Sequence, residues 1–407
     1  MSYICNEQAL GQYATQKLAT SSVNVIGDSP GARNCVYNLV GLGVPDIHWY
    51  VPKKSAYTPH PKSLEHVVGD AVSIFHHDCI MPLAHEGMCI DASYDTESQQ
   101  KTMYIARAMQ QPVCILQNNM IQPVVYSQSP PIRLDNGKPT KGMPFTYMSA
   151  LSGIVAANIA RKHIVPLDHM NERPLPSIYA PTIPLPLDAY LQKRPKALVV
   201  GAGGIGTFAL LHLALNDAVS IDVIDNDTVE DKNLNRQILY RHHIGKPKVD
   251  AAQQVLQTLS KTRITPIHIR LDRQNMNYCI RQVQQKEYDY IFCCVDNVET
   301  RKILDKVHAL TGVPLIEGGC DSFSGTMCQV KRTTKSLREQ RKLHTLQDEV
   351  EDVGCVYRVN PSTIIPNALI GTIMAYHPFF PHQIPKNTLL ELSTLTQQPV
   401  RMHKMKN

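Results

Sequence analysis

No run of apolar residues in this chain approaches the length of a membrane span, which excludes an expected transmembrane helix. The first residues, Met-Ser-Tyr-Ile-Cys-Asn-Glu, lack the basic stretch and apolar stretch of a secretory signal. A cytoplasmic protein without a membrane partner is therefore expected. No C-x-x-C pair occurs, so the structural zinc that such pairs hold is not expected. Eleven cysteines make an odd count with no framework spacing, as for free thiols in a reducing compartment. No nucleic-acid-binding motif is present, and no nucleic-acid partner is expected. His76-His77 and His242-His243 make poor metal pairs, because adjacent residues on one element point apart.

The 407 residues suit two domains of ordinary size. The net charge of +6 is uneven: residues 1–190 hold 13 Lys and Arg against 14 Asp and Glu, and the remainder 28 against 21. A basic second half would favour a nucleotide and a carboxylate-bearing partner, or form a solvated surface. Pro174 to Pro186 carries five prolines in thirteen residues. Such a stretch is extended and semi-rigid, and marks a linker. The domains expected are 1–173, a linker at 174–190, and 191–407.

Residues 197–250 carry the densest information. Ala197 to Val200 reads as a buried strand, followed by the turn Gly201-Ala-Gly203-Gly204-Ile-Gly206. An apolar helix from Thr207 to Leu215 and a strand from Ser220 to Ile224 follow, ending in Asp225. That order is the mononucleotide-binding half of a doubly wound sheet. Its glycines let a phosphate approach the backbone, its helix start offers free N–H groups, and Asp225 suits a ribose. Dehydrogenases share this much. Arg236 and Lys248 go beyond what a dinucleotide needs, whereas a nucleoside triphosphate has extra charge to hold. An uncompensated Lys248 at a helix start opposes the helix dipole, so a bound anion would explain it. Lys246 reads as its solvated neighbour.

The run Asp225-Asn-Asp227-Thr-Val-Glu-Asp-Lys-Asn233-Leu-Asn-Arg236-Gln237, then Ile244-Gly-Lys-Pro-Lys248, resembles the signature of the ThiF/MoeB superfamily, which includes the ubiquitin-activating-type enzymes. Tyr290-Ile-Phe-Cys-Cys-Val-Asp296-Asn297, Arg301 and Val313-Pro-Leu-Ile-Glu-Gly-Gly319 match its later elements. The resemblance implies ATP held by Gly201, Gly203, Gly204, Gly206, Asp225, Asp227, Asn233, Arg236, Gln237 and Lys248. It implies Mg²⁺ on Asp296, with Asp227 a weaker candidate. Arg236, Lys248 and Asp296 would be catalytic, and Cys355 either a thioester- or persulfide-forming cysteine or a buried structural thiol. Cys293, Cys294, Cys320 and Cys328 fall on or near core strands and read as structural. Relatives cover the substrate's tail with a crossover loop. Here that interval holds a basic run, Lys331 to Lys342, and an acidic one, Gln347 to Asp352. It reads equally as a guide for a carboxylate-ended tail or as a solvated loop. Relatives also begin with a helix bearing an Arg-Gln pair, and Cys5 stands about where that arginine would be.

The first half repeats the pattern in worn form. With Gly27 set on Gly201 (an offset of 174), Leu39 falls on Leu213, Ile47 on Ile221 and Val51 on Asp225. The ribose acid is lost. Further on, Met88-Cys-Ile-Asp-Ala-Ser resembles Ile291 to Asp296 and Gln111-Pro-Val-Cys-Ile-Leu resembles Val313 to Ile316; Pro112 set on Pro314 gives an offset of 202, with Tyr94 near the place of Asp296. The second half is 28 residues longer between these points, and the extra residues hold the Asn-Leu-Asn-Arg-Gln and Ile-Gly-Lys-Pro-Lys segments. Ser149 to Ala157 resembles Asn367 to Ala375, each a closing helix. Two tandem doubly wound, Rossmann-like α/β domains about a pseudo-two-fold axis are expected, the first without a nucleotide site.

The resemblance implies ATP-dependent adenylation of the C-terminal carboxylate of a peptide or small ubiquitin-like or sulfur-carrier protein, with release of pyrophosphate. Two other readings stand beside it. One is a peptide-modifying adenylase of microcin C-type biosynthesis, and the other a non-catalytic module that binds a peptide tail. A homodimer is compatible with all three.

Overall fold

In the computed structural model the short buried runs that precede Gly27 and Gly201 become central strands of two sheets. The structure describes residues 7, 10–52, 65–77, 87–109, 111–116, 124–126, 143–165, 182–183, 194–320, 324–343, 364–380, 387–391 and 401–404. These residues divide between two units, one within residues 6–189 and the other within residues 190–392 with 401–407.

The first unit has strands β1 (Ser22–Ile26), β2 (Asp46–Pro52), β3 (Val72–His77), β4 (Met88–Asp91), β5 (Val113–Ile115) and β6 (Val124–Tyr126). Their order is β3-β2-β1-β4-β5-β6. All neighbours are parallel except β5 and β6. Its helices include α1 (Gln12–Leu18), α2 (Pro30–Leu42), α3 (Thr96–Ala108) and α4 (Phe145–Ile164). A two-residue parallel ladder joins β7 (Met143–Pro144) to β8 (Thr182–Ile183), which lies within the proline-rich stretch. The rest of that stretch lies outside the described residues.

The second unit has β9 (Lys196–Val200), β10 (Ser220–Ile224), β11 (Arg263–Ile267), β12 (Tyr290–Cys293), β13 (Leu315–Cys320), β14 (Ser324–Val330), β15 (Asn387–Glu391) and β16 (Arg401–Lys404). The order is β11-β10-β9-β12-β13-β14-β15-β16, parallel through β13 and antiparallel after it. Its helices include α5 (Gly204–Leu215), α6 (Lys248–Leu259), α7 (Met276–Lys286), α8 (Val298–Thr311) and α9 (Ile364–Tyr376). Every residue of α5 from Ile205 to Ala214 is buried, as is all of α9. The two pack on each other, which explains why neither shows a polar face.

The first six strands run in the same order in both units, and the helix after the first strand packs against the closing helix in each (α2 on α4, α5 on α9). Equivalences extend to single bonds. Gly27 N donates to Tyr50 O at 2.9 Å, and Gly201 N to Ile224 O at 2.8 Å. Both glycines have positive φ, 104° and 96°, which side chains resist. Ala92 N donates to Ile26 O, and Cys294 N to Val200 O, each at 2.8 Å. Cys89 N donates to Pro112 O, and Ile291 N to Pro314 O, each at 2.9 Å. These pairs sit at offsets of 174 and 202, which sets Cys89 rather than Met88 on Ile291.

Candidate active site

In the second sheet the strand order reverses direction beside β9, with β10 on one side and β12 on the other. Ligands of doubly wound sheets bind outside the carboxyl ends of strands at such a switch point. Gly201 and Asp225 directly follow β9 and β10 there, and Asp296 lies three residues beyond the end of β12 at Cys293.

The glycine turn leads directly into α5, with Gly203 as its N-cap and no side chain capping it. The first amides of α5 thus have no capping acceptor from that residue. A Cβ placed on Gly203 would meet nothing nearer than Gln237 Nε2 at 4.0 Å. By contrast, a Cβ on Gly206 would lie 2.0 Å from Gly201 O, so Gly206 serves close packing. Among the described residues, nothing fills the space that Gly203 faces.

Asp225 Oδ2 accepts from Ala202 N at 2.6 Å, and its Oδ1 accepts from Asp227 N at 2.7 Å. Burial raises its carboxyl above the ordinary range, nearby Lys248 lowers it and Asp227 raises it. The buried Tyr240 hydroxyl donates to Ala202 O at 2.6 Å and fixes the turn from below. Sequence reasoning did not single out Tyr240; an aromatic with a polar tip just after the Arg236-Gln237 pair was the available signal.

The segment after Asp225 folds into two short 3₁₀ turns, Asp231–Asn233 and Ile238–Tyr240. Asn233, Asn235, Arg236 and Gln237 are all buried. Asn233 Oδ1 accepts from Glu230 N at 2.9 Å and closes the first turn. Arg236 Nη1 donates to Asn235 Oδ1 at 2.8 Å and holds its guanidinium against the segment. Among the described residues, Gln237 Oε1 is buried without a hydrogen-bond partner. An amide presents oxygen or nitrogen equally well at such a spot, so a nucleotide hydroxyl or phosphate oxygen there would satisfy it.

Lys248 is the first residue of α6 and is buried. Its Nζ lies 2.6 Å from Asp227 Oδ2, which corrects the expectation of an uncompensated lysine. The carboxylate is 21 residues away in sequence and reaches Lys248 because Thr228 bridges Pro247 and Lys248 N donates to Asp227 O. The Asp227 side chain is itself 55% exposed, so the pair lies open on one side. Lys246 is exposed, with Nζ 3.0 Å from Gln254 Oε1.

Asp296 lies exposed after β12, and Asn297 caps α8 by accepting from Thr300 N at 2.8 Å. The turn meets the glycine loop: a Cβ on Gly201 would lie 2.6 Å from Cys294 O. Cys293, Cys294 and Cys328 are buried. Burial pushes the Cys293 and Cys328 thiols up to about 12, so both stay protonated. Cys320 is partly exposed, its Sγ 3.3 Å from Asn367 Oδ1. Cys5, Cys355 and the acidic run at 347–352 lie outside the described residues.

The corresponding place in the first unit is closed by the protein. Ser29 caps α2, its Oγ accepting from Ala32 N at 3.1 Å. Ser149 Oγ accepts from Gly31 N at 2.8 Å. Both amides that start the helix are thus occupied by side chains, and Pro30 offers no amide.

The second half of the chain matches the model of the ThiF family over residues 186–407. The chain is similar to SUMO-activating enzyme subunit 2 of Dictyostelium discoideum, at 32% identity over 174 residues, 42% of this chain and 25% of that protein. It is similar to the NEDD8-activating enzyme E1 catalytic subunit of Schizosaccharomyces pombe at 34% over 151 residues, covering 35% of this chain and 33% of that one. The adenylyltransferase and sulfurtransferase uba4 of Emericella nidulans is 38% identical over 135 residues, 32% of this chain and 27% of that protein. The chain thus spans between a quarter and a third of the length of these relatives. The crystal structure of SeMet PaaA aligns with 54% of this chain and 75% of its own, at 19% identity and a TM-score of 0.42. With more than half its residues matched by the family model, and with the family's glycine turn and acid at the switch point of a doubly wound sheet, the chain belongs to the ThiF family.

Proposed function

We propose that the second unit binds Mg·ATP and adenylates the C-terminal carboxylate of a peptide or small carrier protein. The reading rests on the open start of α5 beside Gly203, approached by the Gln237 amide, whose Oε1 lacks a partner among the described residues, with Arg236 buried next to Gln237 and buried Lys248 acting on Asp225, the acid that holds Ala202 N. Uncapped amides and two cations form a site for a polyphosphate. Asp225, held by two backbone amides, presents an acceptor to the ribose. Asp296 would hold Mg²⁺, which neutralises phosphate charge when bound. The attacking carboxylate oxygen bonds to the α-phosphorus while the bond to the β-phosphate oxygen breaks, giving an acyl-adenylate and pyrophosphate. Arg236 and Lys248 stabilise the charge that moves onto the leaving group. No protein base is needed, because the nucleophile is already ionised at neutral pH.

Relatives named for SUMO, NEDD8 and sulfur transfer support a carrier-protein substrate, and a short peptide is the second candidate. The first unit, over about residues 1–173, is read as a copy of the same domain that has lost its nucleotide site. The shared strand order, the matched bonds and the serine-occupied start of α2 support this. Pyrophosphate release from ATP, measured with a panel of carboxylate-ended peptides and carrier proteins, tests the reaction. Release that requires a free C-terminus supports it. Stabilisation by ATP without release, over the whole panel, would instead favour a tail-binding module.

A further inference from the structure

Glu317 is a fully buried carboxylate in the middle of an apolar strand, β13. Two guanidiniums share it. Arg341 donates from Nε to Glu317 Oε2 at 2.8 Å, and its Nη2 meets the same oxygen. Arg301 Nη1 forms an ion pair with Glu317 Oε1 at 3.2 Å, short in distance but outside hydrogen-bond alignment. Burial lowers the Arg341 guanidinium, but Glu317 beside it more than reverses this and keeps it charged.

The two arginines lead to different places. Arg301 lies on α8 and donates through Nη2 and Nε to Val295 O, at 2.9 and 3.3 Å. That carbonyl belongs to the residue immediately before Asp296. Arg341 lies near the end of the basic segment that leaves β14. The segment is not a solvated loop over residues 331–343. Leu337 and Leu343 are buried in the core with Leu304 and Leu315, and Ser336 and Glu339 form a capping box. Asp305 Oδ1 accepts from Leu337 N at 2.7 Å. Its exposed cations, Arg332, Lys335, Arg338 and Lys342, thus stand on a fixed backbone.

We infer that Arg341 and Glu317 are positioning residues, linking the basic segment through Arg301 to the turn that carries Asp296. One carboxylate both anchors the segment and sets the arginine that braces the turn. This inference rests on the proposed role of Asp296 in Mg·ATP binding. Groups that orient a metal ligand from behind alter metal affinity without touching the metal.

Arg341→Ala and Arg341→Lys, in the full chain, test it; Glu317→Gln leaves two cations side by side in the core and risks misfolding. Two readouts are needed. In ligand-free protein, hydrogen exchange of peptides covering residues 294–299 should rise in Arg341→Ala. The Mg²⁺ concentration for half-maximal thermal stabilisation by ATP should rise about tenfold, with partial recovery in Arg341→Lys. Arg341→Ala that melts earlier but keeps wild-type Mg²⁺ dependence and wild-type exchange at 294–299 would make Arg341 a simple anchor and overturn the coupling alone. A wild-type chain that Mg·ATP does not stabilise would overturn the proposed function and the coupling with it.

Discussion

Lys248 Nζ sits 2.6 Å from Asp227 Oδ2, the lysine buried and the aspartate half in solvent. Without ligand, Asp227 offsets a cation that a helix start does not favour. A phosphate entering beside Lys248 competes with that carboxylate. Asp227→Asn should therefore lower ligand-free stability by about 1 kcal/mol and increase the extra stabilisation that ATP confers. Thermal melts with and without Mg·ATP measure both. If the ATP-induced gain shrinks instead, Asp227 serves the ligand rather than competing with it.

Two glycines three residues apart should respond in opposite ways. Gly206→Ala places a Cβ 2.0 Å from Gly201 O and should cost several kcal/mol by overpacking, more than the roughly 1–3 kcal/mol typical of such changes. Gly203→Ala has open space and should leave the melting temperature nearly unchanged, while weakening ATP binding by crowding the phosphate. Equilibrium unfolding and ATP titration of the two variants separate the roles. Unchanged ATP affinity in Gly203→Ala would mean the open space is not where the nucleotide lies.

Much of this site was legible because its parts are local. The strand, glycine turn, helix and acid from Lys196 to Asp225 follow one another in sequence, and their periodicity changes where the elements change. The offsets between the halves were legible for the same reason, and Gly27 and Gly201 do the same backbone work. What was hidden is long-range pairing. Nothing in the local pattern says that Lys248 meets Asp227, or that Arg341 meets Glu317 across 24 residues. Ser29-Pro30 is legible as a helix start, an N-cap serine followed by proline at the first helical position.

His212 lies in the middle of α5, buried, with its ring 5.5 Å from that of Tyr376. Burial lowers its imidazole to about 3, so it stays neutral in the fold. The unfolded chain takes up a proton near pH 6.5 and the folded chain does not. Its stabilising share is thus complete above pH 6.5 and is lost as pH falls from there towards about 3. At pH 5 the loss should be about 2 kcal/mol. His212→Leu should flatten this part of the stability profile, as read by denaturant unfolding at pH 7 and pH 5. An unaltered slope in the variant would show that His212 is protonated in the native chain.

The first unit should not respond to nucleotide. Ser29→Ala removes a helix cap and should cost about 1 kcal/mol, with no change in ATP affinity. Titration of ATP into this variant, scored by stoichiometry and dissociation constant, checks the assignment. A change in either would place a nucleotide in the first unit.

In the proposed reaction the second unit holds ATP through Lys248. Thermal stability with Mg·ATP, with NAD, and with Mg·ATP on Lys248→Ala tests it most directly. At about 100 times its dissociation constant a ligand adds roughly 2.7 kcal/mol to the native state. That gain is expected with Mg·ATP, is lost in Lys248→Ala, and is absent with NAD. Stabilisation by NAD alone, or by ATP equally in Lys248→Ala, would contradict it.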